Sequence, residues 1–405
     1  MPAALVSLAL LGVNMLAYVM TVVAARLLAP GAYGELAALL GVMFIGAVPA
    51  TGLQTAAALT LGRTRAAERS VVLARLHATS WIAAAAVAVV GLIAVAPLVQ
   101  LLHLSGPSTV LWLLAVLVPH ALVGGYDGAL QGTRRYGRLA FVNTAFGLLK
   151  SGGGMIGLIV GGTPESALIG MALGCIASAV IGWASIGRPR FAPGVRVHVL
   201  AAAKASGALL GLVLLANLDL LLARHHLSPQ LGGEYAVASI FAKLAFWLPQ
   251  GISVVLLPRL AHAGGRRRLL PVAAALVALV GAVLTAATAV LGARALPLVG
   301  GAEYGEALGG ATWVFAMLGT LFALAQLLLY SGIAASDRIA AVAVWCAVAL
   351  EAIGVTLLAA GGRLTLLNLV GVATGASLLL VGTGLLRLWR AHGAPAVPPS
   401  GVPAH

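Results

Sequence analysis

Long apolar runs, broken by Arg clusters or Gly/Pro turns, recur from one end of the chain to the other. They predict helical membrane spans near residues 3–28, 34–60, 77–102, 109–131, 139–161 and 166–187, and again near 200–223, 234–260, 270–293, 307–332, 338–360 and 365–388. The runs are too long and too evenly apolar for the alternating strands of a barrel, and only these two architectures satisfy backbone polar groups in hydrocarbon. No Lys or Arg precedes the first run, which exceeds a signal-peptide core, so it is expected to stay as the first span.

Composition sharpens this picture. Of 405 residues, 61% are hydrophobic and only 8% charged, with a mean hydropathy of +1.07. So few charges cannot clothe a water-soluble globule, which excludes soluble enzymes and leaves no room for a soluble domain. Cys175 and Cys346 lie in apolar runs and suggest neither a disulfide nor a metal site.

The net charge of +14 is distributed by side. Arg63, Arg65, Arg69 and Arg75, then Arg134, Arg135 and Arg138, then Arg188, Arg190, Arg196 and Lys204 fall on one face of the membrane, with Arg259, Arg266, Arg267, Arg268, Arg338, Arg387 and Arg390. The opposite face holds Arg26, Arg224, Arg294 and Arg363. The positive-inside rule therefore places both termini in the cytoplasm, and the basic surplus reads as orientation and anionic-lipid contact, not nucleic-acid binding.

The polar connection from Arg188 to Arg196 divides the chain into an N-terminal six-helix bundle, 1–195, and a C-terminal one, 196–390, with 391–405 a disordered cytoplasmic tail. The halves resemble one another. Ala25-Arg26-Leu-Leu-Ala-Pro-Gly-Ala-Tyr33-Gly-Glu35 follows span one as Ala223-Arg224-His-His-Leu-Ser-Pro-Gln-Leu-Gly-Gly-Glu234-Tyr235 follows span seven. Pro49 and Gly52 in span two are matched by Pro249 and Gly251 in span eight, a pairing that suggests hinges. An even number of spans per repeat makes the repeats parallel. The expected fold class is all-α and polytopic: about twelve transmembrane helices in two pseudo-symmetric six-helix bundles around a central cleft.

No catalytic motif is present: there is no HExxH, GxSxG or P-loop and no Cys/His set at ligand spacing, so neither an enzyme nor a cofactor or metal is expected. His225-His226 sits at an outer helix end, where adjacent side chains diverge by about 100° and suit an interfacial anchor better than joint ligation. Ionisable groups at membrane depth are more informative, since each costs about 2.5 kcal/mol or more unless paired or wetted. Lys150, before Ser151-Gly-Gly-Gly154, is either a fixed cation for an anionic substrate or a snorkelling or paired lysine. Lys243, Arg26 and Arg224 can extend the same positive field, although the arginines also suit structural anchoring, and Asn14 and Tyr18 add polar groups in span one. Asp219 and Glu351 are candidates for proton or Na⁺ coupling, or for static pairing with Lys243 or Arg224. Asp127 lies about a turn from the cytoplasmic end, where Arg134 or Arg135 can meet it. Several Gly pairs spaced by four, among them Gly128/Gly132, Gly157/Gly161, Gly170/Gly174, Gly207/Gly211 and Gly371/Gly375, fit close helix crossings.

Asn14-Met-Leu-Ala-Tyr18, the Ala25 to Gly34 and Val48 to Gln54 stretches, Gln131-Gly132-Thr-Arg-Arg135-Tyr, Leu218-Asp219-Leu-Leu-Leu-Ala-Arg224, Gly233-Glu-Tyr235 and Gly301-Ala-Glu-Tyr304 together resemble bacterial polysaccharide-biosynthesis flippases. These are the O-antigen and exopolysaccharide translocases of the multidrug/oligosaccharidyl-lipid/polysaccharide exporter superfamily. The resemblance runs from residue 1 to about 390. It implies a V-shaped pair of bundles alternating between inward-open and outward-open states in the bacterial inner membrane. The implied cargo is an undecaprenyl-diphosphate-linked saccharide moved to the outer leaflet, with membrane lipids, H⁺ or Na⁺ and polysaccharide-assembly proteins as further partners. An ion-coupled exporter of cationic drugs is the alternative in the same superfamily. An integral-membrane glycosyltransferase or polymerase is a third reading, which the short loops disfavour.

Overall fold

The computed structural model describes residues 2–192, 199–249, 263–305, 307–334 and 338–393. The first half consists of α1 (Pro2–Leu27), α2 (Pro30–Gly46), α3 (Val48–Arg63), α4 (Arg69–Leu101), α5 (Pro107–Gly132), α6 (Tyr136–Gly161) and α7 (Pro164–Ser185). The second consists of α8 (Val199–His226), α9 (Pro229–Trp247), α10 (Ala263–Leu291), the short α11 (Ala295–Gly300), α12 (Trp313–Ala334), α13 (Arg338–Ala360) and α14 (Leu366–Gly393). No strand occurs among the described residues. Among the described residues ten stretches are long and apolar enough to cross a membrane, α2 and α3 counting as one; α1 and α9 fall at the other two predicted spans. The chain is a multi-pass membrane protein.

Local chemistry sets the helix starts. Pro30, Pro107, Pro164 and Pro229 occupy first-turn positions, where the missing N–H costs nothing. Thr163 and Ser166 form a reciprocal capping box ahead of α7, and the Ser228 hydroxyl caps α9. The second predicted span is interrupted at Ala47, between α2 and α3. Pro49 causes the break, because it has no N–H to donate to the Ile45 carbonyl one turn earlier. Gly52 follows, buried, within α3. In the second half Pro249 sits in the turn just past α9, while Gly251 lies outside the described residues, as do 394–405; the last helix runs on to Gly393.

Packing repeats between the halves. In the first, α1 lies on α6, α3 and α4 on α5, and α7 on both α5 and α6. In the second, α8 lies on α13, α9 and α10 on α12, and α14 on both α12 and α13. Each main pairing has its counterpart, as a parallel duplication requires. The outer surfaces suit hydrocarbon: α4 exposes Val89, Val90, Leu92 and Ile93. Glycine permits the tightest crossing. At Gly170 a Cβ would collide with the Gly153 carbonyl, and at Gly128 with that of Gln54, whereas Gly371 and Gly375 face open space.

The lobes meet through α2 against α8 and α9 and through α3 along α8, while α1 touches α9 sparingly among the described residues. Backbones approach closely at the matched turns, where a Cβ on Gly34 would stand 3.1 Å from the Gly233 nitrogen. Deeper, Phe44 and Trp247 meet edge to face at 5.7 Å.

Gly170→Leu is expected to destabilise the α6–α7 crossing by about 2 kcal/mol or more, whereas Gly371→Leu should stay within about 0.5 kcal/mol of the parent. Melting curves from size-exclusion chromatography of the detergent-solubilised variants check this contrast.

Candidate functional site

Arg26 and Arg224, at equivalent ends of α1 and α8, each reach into the opposite lobe. Arg26 Nε donates to the Val299 carbonyl at 3.1 Å and its Nη2 to that of Leu298, both on α11. The buried Arg224 donates from Nε to Leu102 O at 2.9 Å, from Nη2 to His103 O at 2.9 Å and from Nη1 to Gly31 O at 3.1 Å. Leu102-His103 follows the first half's third span as Leu298-Val299 follows the second's, so the two latches are reciprocal. His103 holds a left-handed φ of 47°, which a side-chain-bearing residue rarely adopts. The bond its carbonyl accepts from the guanidinium offsets that strain. The adjoining His225 bonds the Leu101 carbonyl through Nδ1 at 2.7 Å.

The glutamates of the same repeated motif act within lobes. Glu35 accepts from the Ser105 N–H at 3.1 Å and its hydroxyl at 2.7 Å. Glu234 accepts from the N–H groups of Ala307 at 3.0 Å and Leu308 at 2.8 Å. Each carboxylate thus fixes the loop beside the carbonyls that the opposite arginine grips. Glu35 also lies 3.9 Å from Arg224, the only ion pair among the described residues. The guanidinium donors named above are therefore committed to protein.

Lys150 sits half-buried on α6, its ammonium 4.9 Å from the centre of the Phe146 ring. His120, on α5, packs its ring 4.7 Å from the same phenyl, with Nδ1 buried and unpartnered. No carboxylate lies within ion-pair distance of Lys150 among the described residues. Asp127 is buried with Oδ1 unpartnered and forms no ion pair with Arg134 or Arg135. Tyr18 is half-buried on α1; the Asn14 side chain lies outside what the structure describes.

In the second lobe Asp219 accepts a hydrogen bond from the Tyr235 hydroxyl at 2.9 Å, and Tyr235 packs edge to face on Phe315. Lys243 on α9 and Glu351 on α13 belong to the same lobe as Asp219, and no ion pair joins the three among the described residues. Glu351 is 0% exposed and neither carboxylate oxygen has a hydrogen-bond partner. Thr374 and Ser377 on α14 carry buried, equally unpartnered hydroxyls. Gly354 faces Val372 across the antiparallel α13–α14 pair, so Glu351, a turn earlier, falls level with Thr374 to Ser377. A buried carboxyl with no hydrogen-bond partner suits a bound proton.

The backbone carbonyls of Leu102, His103, Leu298 and Val299 and the roles of His120, Thr374 and Ser377 were not evident from sequence. A carbonyl acceptor has no residue-type signature, and the hydroxyls matter only through helix register. The Arg and Glu of the repeated turns were the available signal for the latch.

No protein-family model matches the chain, and no curated protein does. Solved structures share its fold. An inward-facing multidrug resistance MATE family transporter of the MOP superfamily superposes with a TM-score of 0.74 at 14% identity, over 96% of this chain and 100% of that one. The lipid II flippase MurJ in an inward closed conformation gives 0.72 at 13% identity, over 95% and 87%. A MOP superfamily transporter from Pyrococcus furiosus, described as having a binding pocket of reverse polarity, gives 0.63 at 12% identity, over 97% and 96%. The likeness is one of fold, and these neighbours are transporters, not enzymes.

Replacing both latch arginines, as Arg26→Gln/Arg224→Gln, removes several charge-assisted bonds and is expected to open this end of the interface. A cysteine at Gly41, which faces Asn217 across the lobes, should then react with an impermeant maleimide about tenfold faster or more. An unchanged labelling rate would mean that the lobes are held elsewhere.

Proposed function

We propose that the protein flips a lipid-linked oligosaccharide, undecaprenyl-diphosphate-linked or related, from the cytoplasmic to the outer leaflet of the bacterial inner membrane by alternating access. Both termini are then cytoplasmic, and the latch closes the outer end. The observation that carries this reading is Lys150: a cation at membrane depth, held on an aromatic face with no carboxylate in reach among the described residues. Such a charge attracts a diphosphate more readily than a cationic drug. In the other lobe Lys243 stands with two acids, Asp219 and Glu351, so the positive bias rests on Lys150. The sparse contact between α1 and α9 supports a lateral path on which sugar and phosphate enter while the prenyl chain stays in lipid. Superposition is also better on the inward-facing MATE structure, at 0.74, than on an outward-facing one, at 0.60, in keeping with an outer end that is shut.

The buried, unpartnered Glu351 carboxyl favours ion coupling, by a proton or Na⁺, with Asp219 a second acid of the same lobe. Those same buried acids favour a second reading, an ion-coupled exporter of cationic drugs. Pro49 and the Ala47 break supply the bend that a lobe rotation needs, with Gly52, Pro249 and Gly251 as matching hinge positions.

In proteoliposomes carrying a lipid-linked saccharide, Lys150→Ala should abolish flipping while insertion and melting temperature persist. Normal flipping by that variant rejects the role given to Lys150. Glu351→Gln should leave residual flipping that no longer responds to an imposed H⁺ or Na⁺ gradient. Drug resistance conferred on a pump-deficient host, without flipping, would favour the exporter instead.

A further inference from the structure

A polar hollow lies away from the groups discussed so far, at the Arg-rich end of the first lobe. It encloses about 430 Å³ where the end of α3, the first turn of α4 and the ends of α5 and α7 converge. Arg69, Ser70 and Arg135 line its rim, over an apolar floor that includes Leu61, Leu130 and Ile186, all buried. Neither guanidinium forms a hydrogen bond or ion pair among the described residues, in contrast to Arg138 nearby, which donates to the Ser185 carbonyl at 3.1 Å. Glu68, adjacent in sequence, does not line the hollow.

The turn that carries Arg135 is held firmly. Arg134 N–H donates to Gln131 O at 3.0 Å and Arg135 N–H to Leu130 O at 2.9 Å, with Arg134 in a left-handed conformation at φ 58°. Arg134 is no glycine, so the chain accepts strain at this one residue to turn sharply and set Arg135 opposite Arg69. Two uncommitted guanidinia and a free serine hydroxyl above an apolar floor match a phosphate ester: the anion takes the N–H and O–H donors, and its first carbons take the floor.

The geometry points to a binding site for a phosphate-bearing headgroup of net negative charge in this hollow, one that ties α3, α4, α5 and α7 together. The anion comes either from a membrane glycerophospholipid or from free phosphate. Neither Lys150 nor the latch arginines take part, so the site stands independently of the transport reading.

Native mass spectrometry of delipidated full-length protein tests it, using phosphatidylglycerol and phosphatidylcholine as probes. The wild type should retain phosphatidylglycerol about tenfold more than phosphatidylcholine, and Arg69→Gln/Arg135→Gln should lose that preference while Arg69→Lys/Arg135→Lys keeps most of it. Arg63→Gln/Arg190→Gln removes the same net charge from residues that do not line the hollow and should bind like the parent. Displacement of the lipid by millimolar inorganic phosphate assigns recognition to the phosphate group alone; resistance to displacement assigns it to the intact lipid headgroup. Equal loss in both Gln double variants, or no preference in the wild type, overturns the proposal. Melting temperatures of all variants confirm that they remain folded.

Discussion

Because hydrocarbon solvates neither peptide groups nor charges, a chain with so few ionised residues can place them at depth only where protein receives them. Backbone polarity is absorbed by helices, and the surplus of apolar side chains becomes lipid-facing surface on α4 and its neighbours. What remains is a small set of charges, some answered by another element and others, Glu351 among them, buried without a hydrogen-bond partner. Arg224 illustrates the rule: a buried guanidinium survives because three carbonyls and a carboxylate from the other lobe surround it.

Duplication explains why the latch is double. A parallel repeat brings the end of α1 beside the second lobe and the end of α8 beside the first, so one arginine per repeat suffices to clasp both sides. The two clasps are not equal in strength. Arg26 is exposed and grips a short helix through carbonyls alone, whereas Arg224 is buried and has Glu35 nearby. Charged hydrogen bonds strengthen as water is excluded, so the Arg224 side carries more of the closure. If the lobes reopen, as the proposed function requires, contacts made of a few discrete bonds suit the change, because these break together in a way that a broad apolar interface does not.

The deep charges divide by lobe. The first holds Lys150 beside His120 on the Phe146 ring; the second holds Lys243, Glu351 and Asp219, the last hydrogen-bonded by Tyr235. On the proposed reading, cargo and ion would occupy separate lobes, and each would bias the same rearrangement by its differential affinity for the two states. The Arg69–Arg135 hollow belongs to neither set and faces the membrane surface instead.

Much of the architecture was legible in the apolar periodicity alone. Each predicted span overlaps a helix, because hydrocarbon leaves a long apolar run no alternative, but helix ends depart from the predicted bounds, by eight residues where α4 starts at Arg69. The repeat was readable too, since Arg26 and Arg224, Glu35 and Glu234, and Pro30 and Pro229 recur in the same order. Gly128, Gly157 and Gly170 were readable as close crossings, while Gly371 and Gly375 carry the same spacing and touch nothing within 4 Å. Spacing records which face a glycine occupies, not what lies opposite. Tertiary structure alone decided that the arginines bind backbone carbonyls of the other lobe, that Phe146 and His120 receive Lys150, and that two hydroxyls lie level with Glu351. These facts depend on register between helices far apart in sequence, and a one-dimensional pattern of polarity does not encode that register.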